Sequence, residues 1–132
     1  MITRPEITIT IDVDWAPEEM IEDTLLLLEE NNVAATFFCT HKSPILLTQK
    51  IHELAIHPNF IPLLEGAYTK TKEQIVDELL EIYPDSAGVR AHGLVQSSGL
   101  MNLYIEKGLE YDSNLLLPYE KLNKYVYDQI LN

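Results

Sequence analysis

The sequence predicts an α/β fold in which a parallel sheet of about five strands is flanked by helices. Short β-like segments alternate with longer helical ones along the 132 residues, and this alternation favours right-handed βαβ units. Residues 7–11 alternate isoleucine with threonine, as a strand does. Residues 34–39 are a continuous run of small and aromatic side chains, which is typical of a strand buried on both faces.

Three further strands are predicted at residues 53–57, 88–91 and 109–112. In folds built from parallel strands, catalytic side chains lie where a strand ends and a loop begins. The ends of these segments are therefore the places where polar chemistry is expected.

The helices lie between these strands. Pro17 and the two glutamates after it favour a helix start, and the pattern predicts an end near Glu30, before two asparagines that tolerate a left-handed backbone. Ser43 and Pro44 begin a second helix that should reach roughly Lys50.

The later helices carry clearer end signals. Thr71 and Gln74 form the two halves of a capping box, and Pro84 ends that helix. Ser98 is expected to cap a helix that ends at Lys107. A last amphipathic helix should begin at residue 118, whereas residues 58–70 are predicted as a loop.

Composition narrows the classes of function. The formal charge of −12 disfavours nucleic acid and anionic membranes as partners, because phosphate binding needs clustered basic residues. The single cysteine, Cys39, is predicted to be a buried strand residue rather than a nucleophile. No basic segment followed by a long apolar one begins the sequence, and no stretch has the length of a membrane span. A cytoplasmic protein with a single domain over residues 1–132 is expected.

Two carboxylates stand at the end of the first predicted strand. Asp12 and Asp14 are separated by one residue, so both should point to the same face of an extended chain. Such a pair can divide its work, with one acid binding a metal and the other acting as a base. The simpler interpretation is a surface pair, or a helix cap ahead of Pro17.

Histidines follow two other predicted strands. His57 ends the third strand, and His92 lies two residues after Arg90 at the end of the fourth. One Asp and two His around Zn²⁺ would leave a position open for water, which is the pattern of catalytic zinc sites. Alone, each His could be a structural residue and Arg90 an ordinary ion-pair partner. His52 should face away from His57, so the two are not expected to share a metal.

The ordered motifs resemble those of polysaccharide deacetylases of the carbohydrate esterase family four type. The similarity extends from about residue 7 to residue 118, and it is strongest with a divergent branch associated with bacterial surface-polysaccharide, including lipopolysaccharide, gene clusters. The segments that carry it are TIDVD at residues 10–14, ATFF at 35–38, HELAIH at 52–57, GVR at 88–90 and YDSN at 111–114.

This resemblance implies a distorted or partial (β/α) barrel and a divalent metal, usually zinc, that supports hydrolysis of an N-acetyl or related amide on a sugar. By position, Asp12 would be the general base that takes a proton from the attacking water, and Arg90 would orient it. Asp14 and His57 would be metal ligands. The metal would polarise the acetyl carbonyl and stabilise the oxyanion.

The sequence departs from the family pattern at three positions. The family's second metal histidine would fall at Ile61; Asn59 or His92 could replace it, and imidazole suits zinc better than an amide. The arginine motif continues into Ala91 rather than proline, and no histidine follows His92. Five strands also do not close a barrel. A shortened family member is therefore expected, with the sheet edge covered by the final helix or by a homodimer.

Three functions fit these observations. The first is a metal-dependent hydrolase that removes an acyl group from a carbohydrate. The second is a non-catalytic metal- or carbohydrate-binding remnant of the same fold, as the missing late histidine would suggest. The third is a signalling domain with a fortuitous resemblance, for which Asp12 and Asp14 should lie far from His57 and His92.

Overall fold

A computed structural model of the protein describes residues 7–67 and 69–115. Five parallel strands form a single sheet in the order of the chain, which confirms the predicted fold class. The strands are β1 (Ile9–Asp12), β2 (Ala35–Cys39), β3 (Glu53–Ile56), β4 (Gly88–Val89) and β5 (Tyr111–Asp112).

Five helices connect or precede these strands in the described residues. They are α1 (Glu18–Glu30), α2 (Pro44–Leu47), α3 (Ile61–Leu64), α4 (Lys72–Ile82) and α5 (Ser98–Glu106). The capping box predicted for α4 is present: the Thr71 side chain accepts from the Gln74 backbone, and the Gln74 side chain accepts from the Thr71 backbone. A 3₁₀ turn, His92–Leu94, follows β4.

Some predicted boundaries were wrong. The segment 58–70 is not all loop, because α3 forms where the Asn59 carboxamide accepts from the Ile61 backbone and Pro62 suits the first turn. Helix α2 stops short of Lys50, since the Thr48 hydroxyl donates to the Ile45 carbonyl and competes with the helix. The predicted helix from residue 118 lies outside the described residues.

The cap of α5 also differs from the prediction by one residue. Ser97, not Ser98, has the extended backbone of an N-cap, and its hydroxyl accepts from the Leu100 backbone at 3.2 Å. Two adjacent serines offer the same cap chemistry, so the sequence alone does not decide between them.

The sheet is curled into a half-barrel. In a flat sheet, β1 and β4 would lie about 14 Å apart, three strand spacings. Nevertheless the Arg90 side chain, just after β4, contacts Thr10 and Asp12 of β1. Similarly, the Tyr111 hydroxyl of β5 donates to Glu53 of β3 across the intervening strand at 2.8 Å. The Arg90 contacts place the carboxyl ends of β1 and β4 around one mouth, whereas the Tyr111 contact lies at the amino end of β3.

The hydrophobic core fixes the sheet against the helices. Strand β2 is buried along its whole length, as predicted, and its Cys39 is fully buried and free. Other core members come from the helices, among them Leu25, Val76, Leu79 and Leu103. Within the described ranges, no helix has both the length and the apolar character that a membrane span requires.

Candidate metal centre

The carboxyl ends of the strands bring the predicted site residues together. Asp12 is the last residue of β1, His57 directly follows β3, and Arg90 directly follows β4. The backbone NH of His57 donates to Cys39 and that of Arg90 donates to Ile56, so the parallel ladder continues one residue into each loop. All three side chains line an open cleft of about 430 Å³.

Asp14, His57 and His92 form a compact cluster at this cleft. Asp14 Oδ1 lies 3.3 Å from His57 Nε2 and 2.9 Å from His92 Nδ1, and one ligand atom from each residue falls within 4.8 Å of the others. The two imidazole rings are nearly perpendicular, with centroids 5.5 Å apart. The three residues expected from the sequence to hold a metal are therefore neighbours in space.

The cluster fits a small divalent cation. Ligand atoms around tetrahedral zinc are about 3.4 Å apart for metal–ligand distances near 2.1 Å, which is close to the 2.9 and 3.3 Å found here. Two imidazoles and one carboxylate are a donor set used by zinc and by ferrous iron. The side chains can therefore hold such an ion while leaving coordination positions open.

Burial prepares His57 for a role as a ligand. It lowers the pKa of the imidazole, and this outweighs the opposing attraction of Asp12, of the Arg90 backbone and of Asp14; His92 lowers it further. The neutral ring is the form that binds a metal. His57 Nδ1 is buried, and no hydrogen bond to it is formed within the described residues.

Arg90 holds the second carboxylate, Asp12. Arg90 Nη1 donates to Asp12 Oδ1 at 2.8 Å, while Asp12 Oδ2 lies 4.0 Å from His57 Nε2. One carboxylate oxygen is thus engaged by the guanidinium, and the other faces the cluster. A charge-assisted contact of this kind orients a carboxylate.

Arg90 is held in position by three residues that the sequence analysis did not identify. Its guanidinium donates to the Thr10 hydroxyl and to the Ser113 hydroxyl, and Arg90 Nε donates to the Ser113 carbonyl. The guanidinium carbon lies 4.2 Å from the centroid of the Phe38 ring. Thr10, Phe38 and Ser113 belong to the quoted family motifs, and that was the available signal for them.

A further residue missed by sequence reasoning, Asn114, supports the loop of His92. Asn114 is buried, and its carboxamide oxygen accepts from the Ala91 backbone at 2.7 Å. The His92 backbone NH donates to the Pro58 carbonyl at 2.9 Å. Two contacts from different loops therefore fix the backbone that leads into His92.

Two other candidates do not join the cluster. The Asn59 carboxamide oxygen accepts from the Ile61 backbone at 3.0 Å, whereas His92, the other candidate for the same role, lies against Asp14. His52 lies at the opposite end of β3, where its Nδ1 accepts from the Ala35 backbone. The larger cleft of the molecule, about 650 Å³ between α1 and α2, includes His52 but no member of the cluster.

The short distances decide against one of the earlier interpretations. A signalling domain with a fortuitous resemblance would keep Asp14 away from the histidines, yet its carboxylate touches both His57 and His92. The arrangement can bind a cation, hold a carboxylate beside it and admit a ligand from solvent. These are the chemical requirements of metal-assisted hydrolysis.

Comparisons with known proteins agree with this geometry. A crystal structure from Bordetella bronchiseptica, described as a candidate polysaccharide deacetylase involved in O-antigen biosynthesis, is 41% identical with a TM-score of 0.82. The similarity covers 87% of this chain and 49% of that one, so this chain spans about half the length of the solved relative. Among curated proteins, none matches the chain. The family model described as "WbmS-like: Polysaccharide deacetylase" matches residues 9–131, and the chain belongs to this family.

Proposed function

We propose that the protein is a divalent-metal-dependent hydrolase that removes an N-acetyl or related acyl group from a sugar or polysaccharide precursor. The observation that carries this proposal is that two neighbouring carboxylates have different surroundings. Asp14 lies against two imidazoles, whereas Asp12 lies against a guanidinium. Membership of a polysaccharide deacetylase family supports the reaction class.

Each residue has a role in the proposed reaction. Asp14, His57 and His92 bind the metal, for which zinc is the best candidate because hydrolysis needs no redox change. When bound, the metal would supply a Lewis acid for the acyl carbonyl and lower the pKa of water. Asp12 accepts the proton of the attacking water at Oδ2, the oxygen not used by Arg90.

The leaving amine also requires a proton. Within the described residues, His41 and His52 bond elsewhere. Asp12 is the group best placed to return the proton it has taken, acting first as base and then as acid. Arg90 supports both states, since it keeps Oδ1 occupied and leaves Oδ2 to exchange the proton.

The proposed substrate is a carbohydrate used in building bacterial surface polysaccharide. The solved relative is described as involved in O-antigen biosynthesis, and the charge of −12 suits a neutral sugar better than an acidic one. A homodimer and a cytoplasmic location stay predictions from the sequence.

A second candidate is a non-catalytic metal- or carbohydrate-binding protein. The same geometry supports it, because the Asp14–His57–His92 cluster could hold a cation without catalysing hydrolysis. This candidate predicts metal or sugar binding without release of acetate, so it differs from the hydrolase in one measurable product.

The first experiment is elemental analysis of the purified protein together with His57→Ala and a matched control, His52→Ala. About one metal ion per chain, lost in His57→Ala and kept in His52→Ala, would support the assigned site. Acetate release from N-acetylated sugars by the loaded protein would then establish the hydrolase. Metal binding without acetate release would favour the non-catalytic candidate, and no metal even with added zinc would contradict both metal-binding proposals.

A further inference from the structure

Trp15 lies beside the candidate metal centre, against His92, and lines a second cleft with Thr40 and Asn59. It is the single tryptophan of the sequence, it directly follows Asp14, and it is 51% exposed. Its ring packs against His92 with centroids 5.1 Å apart and an interplanar angle of 68°. A large aromatic residue normally gains free energy from burial, so half-exposure beside a polar cluster needs a reason.

The backbone holds this side chain outward. Asp14 and Trp15 have φ values of 44° and 60°, in the left-handed region that residues with side chains rarely adopt. The turn is anchored by backbone bonds from Val13 to Phe38 and from Ala16 to Val13. In addition, the Trp15 backbone NH donates to the Thr40 hydroxyl at 3.1 Å. The indole is therefore presented by a fixed turn rather than by a loose loop.

Two exposed leucines line the cleft of the cluster. Leu94 and Leu115 line the cleft and are 45% and 64% exposed, and Leu94 also has a left-handed backbone, with φ of 55°. A single exposed apolar residue is ordinary on a protein surface. Several exposed apolar side chains near one charged cluster are more specific, because they suit a ligand with a polar edge and an apolar face.

We propose that Trp15 is the stacking platform for the pyranose ring that carries the acyl group. This inference rests on the proposed function and names its substrate-positioning residue. An N-acyl group is attached directly to its sugar ring, so a carbonyl at the Asp14–His57–His92 cluster places that ring within reach of the indole that touches His92. The C–H face of the ring lies on the indole, and its hydroxyls face the carboxylates and solvent.

Because Trp15 is the single tryptophan, its fluorescence reports directly on this contact. Methyl glycosides of N-acetylglucosamine, N-acetylgalactosamine and N-acetylmannosamine would be titrated into the protein, with binding measured in parallel by calorimetry. At least one sugar should shift the tryptophan emission. Trp15→Gly, in which glycine accepts the left-handed backbone without strain, should bind that sugar about tenfold more weakly, which corresponds to about 1.4 kcal/mol.

Controls separate stacking from general damage. Trp15→Phe should restore part of the affinity, and Ile105→Ala, an exposed apolar residue on α5, should bind like the unchanged protein. Zinc stoichiometry should be equal in all four proteins. Equal sugar binding in Trp15→Gly, or no binding of any of the three sugars, would overturn the platform. Failure of the proposed function would instead show as absent metal or absent acetate release in the unchanged protein.

Discussion

Arg90 and Asp12 are joined by a 2.8 Å contact between Nη1 and Oδ1, although their strands are separated by two others in the sheet. The contact is possible because the sheet is curled into a half-barrel. It spans the mouth in which the candidate ligands Asp14, His57 and His92 lie. Arg90 reaches Ser113 on one side and Thr10 on the other. It therefore links the end of β5 to β1 and sets the direction of the proposed base.

This relationship predicts the behaviour of Arg90→Lys. Lysine keeps the charge but lacks the planar fork that bonds Asp12, Thr10 and Ser113 together. In a protein that releases acetate, we expect kcat to fall by about 10- to 100-fold, less than the roughly 10²–10⁴-fold loss expected for Asp12→Ala, which removes the base itself. Steady-state kinetics with a defined N-acetylated sugar would measure both.

Metal stoichiometry provides the control for this comparison. Both variants should retain the ion, because Arg90 and Asp12 are not assigned as ligands. A loss of metal in Arg90→Lys would mean that the guanidinium maintains the cluster rather than the base. Activity equal to that of the unchanged protein would remove Arg90 from the proposed mechanism.

The choice of His92 over Asn59 as third ligand gives a second prediction. Asn59 Oδ1 is already bonded to the Ile61 backbone, while His92 Nδ1 faces Asp14 at 2.9 Å. Loss of a residue that only hydrogen-bonds to a metal ligand lowers metal affinity by roughly 10–100-fold. Loss of a ligand itself should lower it by at least as much. Competition titration with a zinc chelator should therefore show a large loss for His92→Ala.

Asn59→Ala serves as the matched variant, since it changes a polar residue two positions beyond His57. Its zinc affinity should stay within a few-fold of the unchanged protein. The reverse order of affinities, with Asn59→Ala the weaker, would mean that the loop after β3 rearranges on binding and supplies the amide as a ligand.

Much of this site could be predicted from the sequence because it depends on where strands end. The predicted strands end near Asp12, His57 and Arg90, and parallel strands place such ends at one edge of a sheet. The same argument gave the correct fold class. Asp14 and His57 were expected as ligands from the family resemblance, and His92 was preferred to Asn59 because imidazole suits zinc better than an amide. That these residues bind a metal stays a prediction.

The remaining features depend on tertiary geometry, which local sequence patterns do not predict. The strand pattern of Asp12 and Asp14 does not reveal that the backbone turns left-handed at Asp14, with φ of 44°, which aims its carboxylate at His57. Asn114 bonds to Ala91 across 23 residues, and only the pairing of β4 with β5 brings them together. Short α3 escaped prediction because four residues carry too little periodicity to detect.

Gly88 gives a third prediction, on stability. A β-carbon at this position would overlap the ring of Tyr111, which crosses over β4 to bond Glu53. Gly88→Ala should therefore destabilise the protein by about 1–3 kcal/mol, the usual cost of inserting a carbon into a packed site. Chemical denaturation followed by circular dichroism would measure the change.

Gly99→Ala and a double variant make this test specific. A β-carbon at Gly99 meets only ordinary contacts in α5, so that variant should be neutral or more stable by up to about 1 kcal/mol, given the helix propensity of alanine. Adding Tyr111→Ala to Gly88→Ala should cost less than the sum of the two single changes, because the overlap disappears. Strict additivity would argue that the Tyr111 ring does not pack on Gly88.

The last prediction concerns the pH dependence associated with Cys39. Desolvation by burial raises the pKa of this thiol to about 12 from 9.0, although a side-chain hydrogen bond with Tyr83 opposes the shift. At neutral pH the folded protein should therefore react with a thiol reagent far more slowly than the same chain in denaturant. Fast labelling of the native protein would contradict the buried position of Cys39.

The same shift has a defined effect on stability. Unfolded chains lose the thiol proton near pH 9, whereas the folded protein keeps it to about pH 12. The contribution is therefore fully present below pH 9, and stability falls as pH rises from 9 towards 12, because proton release then favours the unfolded state. Denaturation midpoints at pH 8 and pH 10 should differ more for the unchanged protein than for Cys39→Ala. If the two proteins show the same difference between pH 8 and pH 10, the loss of stability at alkaline pH comes from other groups. The buried Tyr83 hydroxyl is one such group, because desolvation also raises its pKa.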